Sequence, residues 1–370
     1  MVFMDMERRA LDEYLPGLAD RLAGFELTEL ETDGNPGIEA FRACGGAKLV
    51  VPERFGGSGA SIVDAARVLR ELAALAPSTA VAAMMHQFSV TTLVAAVEQD
   101  PQEFAAFPDL LAAISGKRML LASGFAEGMR GQNILEPTLR AERTDGGYLL
   151  NGVKKPCSLS GSMDLLTASV AVPGPDGTPA LGIALIPADA EGLTVAPFWS
   201  SFALAGAESN EVRLDDVLLA PEQLVNPPLE KALPLQMLGL VHFQLSVCAV
   251  YTGVVSALVR RVLAQSRGSV TDRADLIVEI ESAALTAEAV ARRVLADEPV
   301  DRALAAVQVA RFATQESLGR VVNRAVELLG GMAYVSSSDV GYLAAAAHGI
   351  AFHPPSRTSA AGAIVESFPA

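Results

Sequence analysis

Apolar residues recur at helical spacing along the first third of the chain. Residues 6–23 carry the pattern, and 62–75 repeat it with Asp64, Arg67 and Arg70 on the expected wet face. Two more apolar stretches, 80–97 and 101–114, predict further helices. Between them Pro52-Glu-Arg-Phe-Gly-Gly-Ser-Gly59 predicts a loop, because its glycines permit turns that side chains forbid. The character changes near Met119. Residues 119–229 are punctuated by Gly, Pro, Asn and Asp and hold short alternating runs at 138–143, 147–152, 165–172, 181–186 and 211–214. Asp145-Gly-Gly147 is a hairpin signal between the first two. Helical periodicity returns from about Leu229: a heptad-like stripe over 276–295, and a long helix over 301–329 that Gly330-Gly331 terminates. The pattern predicts an α+β fold: a helical domain over 1–118, a small antiparallel, barrel-like β domain over 119–229, and a second helical domain over 230–370.

One stretch changes that picture if taken alone. No Asp, Glu, Lys or Arg lies between Lys231 and Arg260, a run long enough to suggest a membrane span. Pro234, Gln236, His242, Gln244, Ser246 and Thr252 interrupt it, so it reads as a helix buried on all sides. The N-terminus is charged throughout and lacks the apolar core of a signal peptide.

Composition narrows the function. Against 28 Lys and Arg stand 43 Asp and Glu, a formal charge of −15 in 370 residues. So acidic a chain is a poor nucleic-acid binder, since phosphate neutralisation needs clustered cations. Cys44, Cys157 and Cys248 are too scattered for a zinc pattern or a disulfide framework, which fits a cytoplasmic setting. The four histidines form no metal-binding pair.

Several segments, in order, resemble the acyl-CoA dehydrogenase family over nearly the whole chain. Leu49-Val-Val-Pro-Glu-Arg-Phe-Gly-Gly-Ser-Gly59 is similar to that family's P-E-x-x-G-G-x-G loop. Tyr148-Leu-Leu-Asn-Gly-Val-Lys154 resembles its Y-x-L-N-G-x-K hairpin. The segment 206–217 resembles G-S-x-x-x-x-V-x-F-x-D-V, with Ala207 in place of Ser. Val326-Glu-Leu-Leu-Gly-Gly-Met-Ala-Tyr334 resembles its Q-x-x-G-G-x-G-Y turn, with Glu327 for Gln. The resemblance implies a C-terminal four-helix bundle, FAD between bundle and β domain, and a homodimer or homotetramer. The cofactor would do the redox chemistry while the protein orients it.

Carried over residue by residue, the motifs are eroded. For T-E-P-x-x-G-S-D the chain has Ala126-Glu-Gly-Met-Arg-Gly-Gln-Asn133. The resemblance places the amides of Phe125 and Ala126 at the flavin pyrimidine, and Gly131 and Gln132 at the cofactor. For W-I-T-N it has Pro156-Cys-Ser-Leu159: Ser158 keeps a hydroxyl near the flavin, and Cys157 reads as a small packing residue beside it. Trp199 is the sole tryptophan, so the usual ring-covering one is absent. For R-x-Q-F-G, which reaches the FAD phosphates of a neighbouring subunit, only Arg267 remains, with Gly330 and Gly331 as the turn that lets backbone approach the cofactor. The family's catalytic glutamate is missing: His353 stands in its place, either as a base, with an ordinary pKa near neutrality, or as a turn cap. The alternative helix position for that glutamate holds His242 and Phe243. His86, Gln87, His242 and Arg357 are the substrate-binding candidates.

These departures are read as specialisation. The chain is expected to be an FAD-dependent dehydrogenase oxidising a short hydroxyacyl thioester on an acyl carrier protein, for polyketide extender units, with an unassigned electron acceptor. A short-chain acyl-CoA dehydrogenase and a reduced-flavin monooxygenase on the same fold are the alternatives. An acidic carrier or CoA would need a basic patch, for which Arg260-Arg261 and Arg292-Arg293 are candidates.

Overall fold

The computed structural model describes residues 2–129, 136–174 and 179–369. Seven helices come first: α1 (Asp5–Tyr14), α2 (Leu18–Leu22), α3 (Leu27–Leu30), α4 (Pro36–Ala43), α5 (Ile62–Leu75), α6 (Pro77–Gln99) and α7 (Phe107–Lys117). The single helix expected over 6–23 is broken in two. Pro16 cannot donate a backbone hydrogen bond, and Gly17 turns the chain at φ 78°. Arg70, expected in water, is buried: it pairs with Glu7 of α1 at 2.6 Å and with a second carboxylate, Glu281, at 2.6 Å.

Eight strands follow: β1 (Leu121–Gly124), β2 (Arg140–Thr144), β3 (Gly147–Cys157), β4 (Leu165–Pro173), β5 (Pro179–Pro187), β6 (Leu193–Ala196), β7 (Asn210–Leu219) and β8 (Leu224–Val225). They form one sheet in the order β6-β7-β3-β2-β4-β5-β8, with β1 also on β4. The sheet is mixed rather than purely antiparallel. The hairpin places β3 on the far side of β2, so β4 enters beside β2 running the same way, and β1 is parallel to β4 as well.

The remaining helices are α8 (Leu229–Ala264), α9 (Val270–Leu295), α10 (Val300–Leu329), α11 (Gly331–Ser336), α12 (Ser338–Ala347) and α13 (Arg357–Ser367). Helices α8, α9 and α10 with the shorter α12 form the C-terminal bundle, and α5 and α6 pack on α8 from the other side. That approach is close because Gly253 carries no side chain: a Cβ there would sit 2.2 Å from the Arg70 carbonyl oxygen. Gly330, at φ 85°, ends α10. Two helices, α6 and α8, are long and apolar enough to cross a membrane, but 67% and 89% of their most apolar windows are buried within the fold. They are the central core helices, and α8 contains the charge-free run.

One buried carboxylate holds the N-terminal helices to the bundle. Glu31 accepts from the Ser78 amide at 3.0 and 3.2 Å, in the first turn of α6, and from the hydroxyls of Ser78 and Tyr342. Burial pushes its carboxyl up to about 7.

Candidate active site

Two walls meet near the end of the sheet. The first is built where β1 and β3 finish. Past Gly124 the chain runs beside the end of β3: the Lys155 amide donates to the Ala126 carbonyl at 2.8 Å, and Glu127 bridges to Lys155. Phe125 and Ala126 are thereby brought beside Cys157 and Ser158. The loop after β1 is stapled from below. Lys154 is fully buried, and its Nζ donates to Glu127 Oε1 at 2.7 Å and Ser169 Oγ at 3.1 Å. Glu127 also accepts from the Thr138 amide and hydroxyl and the Leu139 amide. Burial alone would raise its carboxyl, but the ammonium and these donors outweigh it and hold the group near about 2. Ser158 Oγ lies 2.9 Å from Ser209 Oγ. The Cys157 thiol is buried and pushed up to about 12, so it is inert at neutral pH. Gly131 and Gln132 lie outside the described residues.

The second wall is helical. His353, in the turn after α12, places Nε2 2.8 Å from the Tyr251 hydroxyl of α8. Its ring packs edge-on against Phe243, with centroids 5.7 Å apart, and Phe243 packs in turn on Phe88 of α6 at 5.3 Å. Gln244 Nε2 donates to the Pro354 carbonyl at 2.7 Å and fixes the turn. Burial, and then the Arg311 guanidinium, hold the His353 imidazole down at about 3. It is neutral at pH 7 and a weak proton acceptor. Burial raises the Tyr251 hydroxyl well above the usual phenol range.

Residues 204–209 join the walls. Ser209 meets Ser158, and the Leu159 amide donates to the Ala207 carbonyl at 3.0 Å. At the other end Leu204 reaches Gly349: a Cβ there would lie 2.6 Å from the Tyr251 hydroxyl and 3.0 Å from Leu204.

The other candidates sit elsewhere. His86 is fully buried; its Nε2 lies 2.9 Å from the Ala47 carbonyl, and its Nδ1 accepts from the Leu121 amide at 3.0 Å. Both nitrogens are spent inside the core, tying α6 to β1 four residues ahead of Phe125. Gln87 Nε2 donates to the Gly46 carbonyl at 2.8 Å, while its buried Oε1 has no partner. His242 lies on the face of α8 that carries Gly239 and Gly253, with a buried, unpartnered Nδ1, and burial alone holds it near about 4. Arg357 pairs with Glu316 of α10 at 2.5 Å and stacks over Phe312. Arg267 shares a cavity of about 350 Å³ with Arg261, Leu329, Met332 and Ala333, which flank Gly330 and Gly331. Two guanidinium groups beside a glycine turn suit a phosphate-bearing group. The candidate carrier patches are not bare. Arg260 pairs with Glu71, Arg261 with Asp339, Arg292 with Glu288 and Arg293 with Glu298.

Three residues of this region carry signals that the sequence reading passed over. Tyr251 is the one phenol inside the charge-free run. Arg311 interrupts the buried stripe Val307, Ala310, Thr314, Leu318 of α10, where a charge is out of place. Lys154 sits on a strand position that faces the core.

Comparison with known proteins places the chain. Residues 3–112 match the acyl-CoA dehydrogenase N-terminal domain, and residues 235–351 the C-terminal domain. An isobutylamine N-hydroxylase of Streptomyces viridifaciens is 45% identical over 369 residues, 99% of this chain and 97% of that one. Among solved structures, a nitrososynthase from Micromonospora carbonacea var. africana superposes with a TM-score of 0.81 at 22% identity, over 97% of this chain and 95% of its own. FMN-bound TdsC from Paenibacillus sp. A11-2 does so at 0.78 and 18%, over 95% and 93%. The N-hydroxylase overturns the expectation of an FAD-dependent acyl-thioester dehydrogenase serving an acyl carrier protein: the relative matched over the full length oxygenates an amine by name. The missing glutamate is the physical counterpart of that correction, since oxygenation of a nitrogen removes no α-proton. With both terminal domains matched and 45% identity to a relative across 99% of its length, the chain belongs to the acyl-CoA dehydrogenase family.

Proposed function

We propose that the protein is a flavin-dependent N-hydroxylase of small aliphatic primary amines. The observation that carries this reading is the 45% identity to an isobutylamine N-hydroxylase over 369 residues. The site supports it. The position of the dehydrogenase base holds His353, which is neutral at pH 7, and the neighbouring Phe88 and Phe243 offer apolar surface to a short alkyl chain.

The overall reaction balances as amine plus dioxygen plus reduced flavin giving hydroxylamine, water and oxidised flavin. One oxygen atom goes to nitrogen; the other takes up two electrons and two protons and leaves as water. When bound, the reduced flavin activates dioxygen. The protein's part is orientation and exclusion of water. The backbone of Phe125 and Ala126 and the Ser158 hydroxyl would hold the flavin ring, and His353 with Tyr251 would hold the amine. We assign FAD rather than FMN, because the cavity lined by Arg261 and Arg267 presents two guanidinium groups that suit a diphosphate. As in the wider family, the working form is a homo-oligomer.

The experiment supplies FAD-loaded protein with isobutylamine, a flavin-reducing system and ¹⁸O₂. The expected product is N-hydroxyisobutylamine carrying one labelled oxygen. Unlabelled or absent product, together with anaerobic bleaching of the flavin by an acyl thioester, overturns the reading.

A further inference from the structure

Arg311 is a buried cation with no counter-ion among the described residues. It is 1% exposed. Its Nη1 donates to Gln315 Oε1 at 2.9 Å and Nη2 to the Ile350 carbonyl, and its Nε has no partner among the described residues. Among the described residues no carboxylate forms an ion pair with it. A like charge acts on it, Arg357 of α13, itself paired with Glu316. Buried charges are ordinarily paired, since desolvation is costly, so one left open is a candidate for function. Arg311 acts electrostatically on Cys248 and Tyr251 of α8 and on His353, three residues past the Ile350 carbonyl that it binds. His353 is bonded to Tyr251 through Nε2, and no described residue bonds its Nδ1. From α6 Phe88 packs on Phe243, which packs on His353, so the candidate amine pocket of the proposed function is apolar on that side.

We propose that Arg311 makes this pocket selective for the uncharged form of a primary amine. The guanidinium repels the alkylammonium ion, while His353 accepts an amine N–H at Nδ1 as its own Nε2–H donates to the Tyr251 oxygen. This inference rests on the amine-hydroxylase reading and supplies its substrate form. It also matches the chemistry, because only the neutral amine keeps the lone pair that receives oxygen. An alkylammonium ion has a pKa of about 10.4, so free base is scarce at pH 7 and rises about tenfold per pH unit up to pH 9. The groups facing the pocket are silent over that interval. His353 is already neutral, the Cys248 thiol is pushed up to about 11 by burial, and the Tyr251 hydroxyl lies higher still. The pH profile therefore reads the substrate.

The test separates kcat from KM for isobutylamine between pH 7 and 9 with FAD-loaded enzyme. If the cation is excluded, KM for total amine falls about tenfold per pH unit and kcat stays level; if the cation binds unproductively, KM is level and kcat rises. The wild type is expected to show the first pattern and to ignore tetramethylammonium. Arg311→Gln is expected to move toward the second and to be inhibited competitively by tetramethylammonium, while Arg311→Lys keeps the wild-type pattern. A level wild-type KM, or tetramethylammonium inhibiting the wild type as well as it inhibits Arg311→Gln, overturns the proposal. If Arg311→Gln does not fold, the wild-type KM profile and its response to tetramethylammonium decide alone. Failure to hydroxylate any amine at any pH removes the hydroxylase reading instead.

Discussion

Acid should destabilise this protein from near pH 6.5, well above the range where carboxylates usually titrate. Three imidazoles are held neutral in the fold: His86 near about 4, His242 near about 4 and His353 near about 3, each chiefly by burial. In the unfolded chain each binds a proton below about 6.5. The folded pKa values are depressed, so the unfolded state gains three protons as pH falls from 6.5 toward 4, and stability is lost across that window. Glu31 acts in the opposite sense. Its folded carboxyl is raised to about 7 against 4.5, so the folded state binds the extra proton between those values and gains stability as pH falls. The net excess in the unfolded state near pH 5.5 is about two protons, and at about 1.4 kcal/mol per proton per pH unit the unfolding free energy should fall by about 2–3 kcal/mol between pH 6 and pH 5. Glu31→Gln removes the opposing term and should steepen the fall to about 4 kcal/mol. Urea unfolding at half-unit pH steps, followed by far-ultraviolet circular dichroism and the fluorescence of Trp199, measures both slopes. A wild-type free energy that is level from pH 6.5 to 5, or a Glu31→Gln slope shallower than the wild type's, refutes the reasoning.

Three further outcomes follow from single contacts. Gly253→Ala drives a methyl against the Arg70 carbonyl, which cannot move without parting α5 from α8; a loss of about 1–3 kcal/mol is expected, read as a lower urea midpoint, and an unchanged midpoint would show that the helices part freely. Lys154→Met removes the buried Lys154–Glu127 ion pair and should cost about 3–5 kcal/mol, while adding Glu127→Gln should restore much of it; a double variant no more stable than the single one would deny the pairing. Arg267→Ala should weaken FAD about tenfold, or about 1.4 kcal/mol, and leave FMN unchanged in fluorescence titration; equal weakening of both would place the cavity outside the cofactor's diphosphate end.

Much of the fold was legible because periodicity is local. The stripe over 62–75 is α5, and the glycine stop at 330 ends α10 where helix chemistry places it. What escaped was decided at long range. Arg70 looked like a wet-face residue on its own helix, yet two acids from helices remote in sequence, α1 and α9, draw it inside. The parallel pairing of β1 and β2 with β4 depends on where the intervening hairpin folds, which no run of alternating residues records. The same limit governs the site. His86 and His353 are each a lone histidine in the sequence; only the packing shows that one spends both nitrogens on backbone and the other keeps one nitrogen unbonded by any described residue.

The functional error has a different origin, and it is instructive about motif reading. Every departure from the dehydrogenase pattern was visible: His353 for glutamate, Pro156 for the ring-covering tryptophan, a reduced phosphate motif. The alternative of a reduced-flavin monooxygenase, which needs no α-proton base, is the one that the amine-oxygenating relative favours. In the main reading each departure was instead treated as a modified way of doing the dehydrogenase reaction. Taken together they remove what that reaction requires, since a carboxylate poised to take an α-proton is the one group a dehydrogenase of this fold cannot exchange for an imidazole that burial and Arg311 hold near about 3. An amine hydroxylase needs the reverse: a site that leaves a nitrogen lone pair unprotonated. On the proposed reading a neutral imidazole backed by a guanidinium with no counter-ion among the described residues meets that need, and the two residues that would supply it, His353 and Arg311, lie about forty positions apart. A missing carboxylate and a cation unpaired among the described residues carry the proposal, and only the fold brings those two facts to one place.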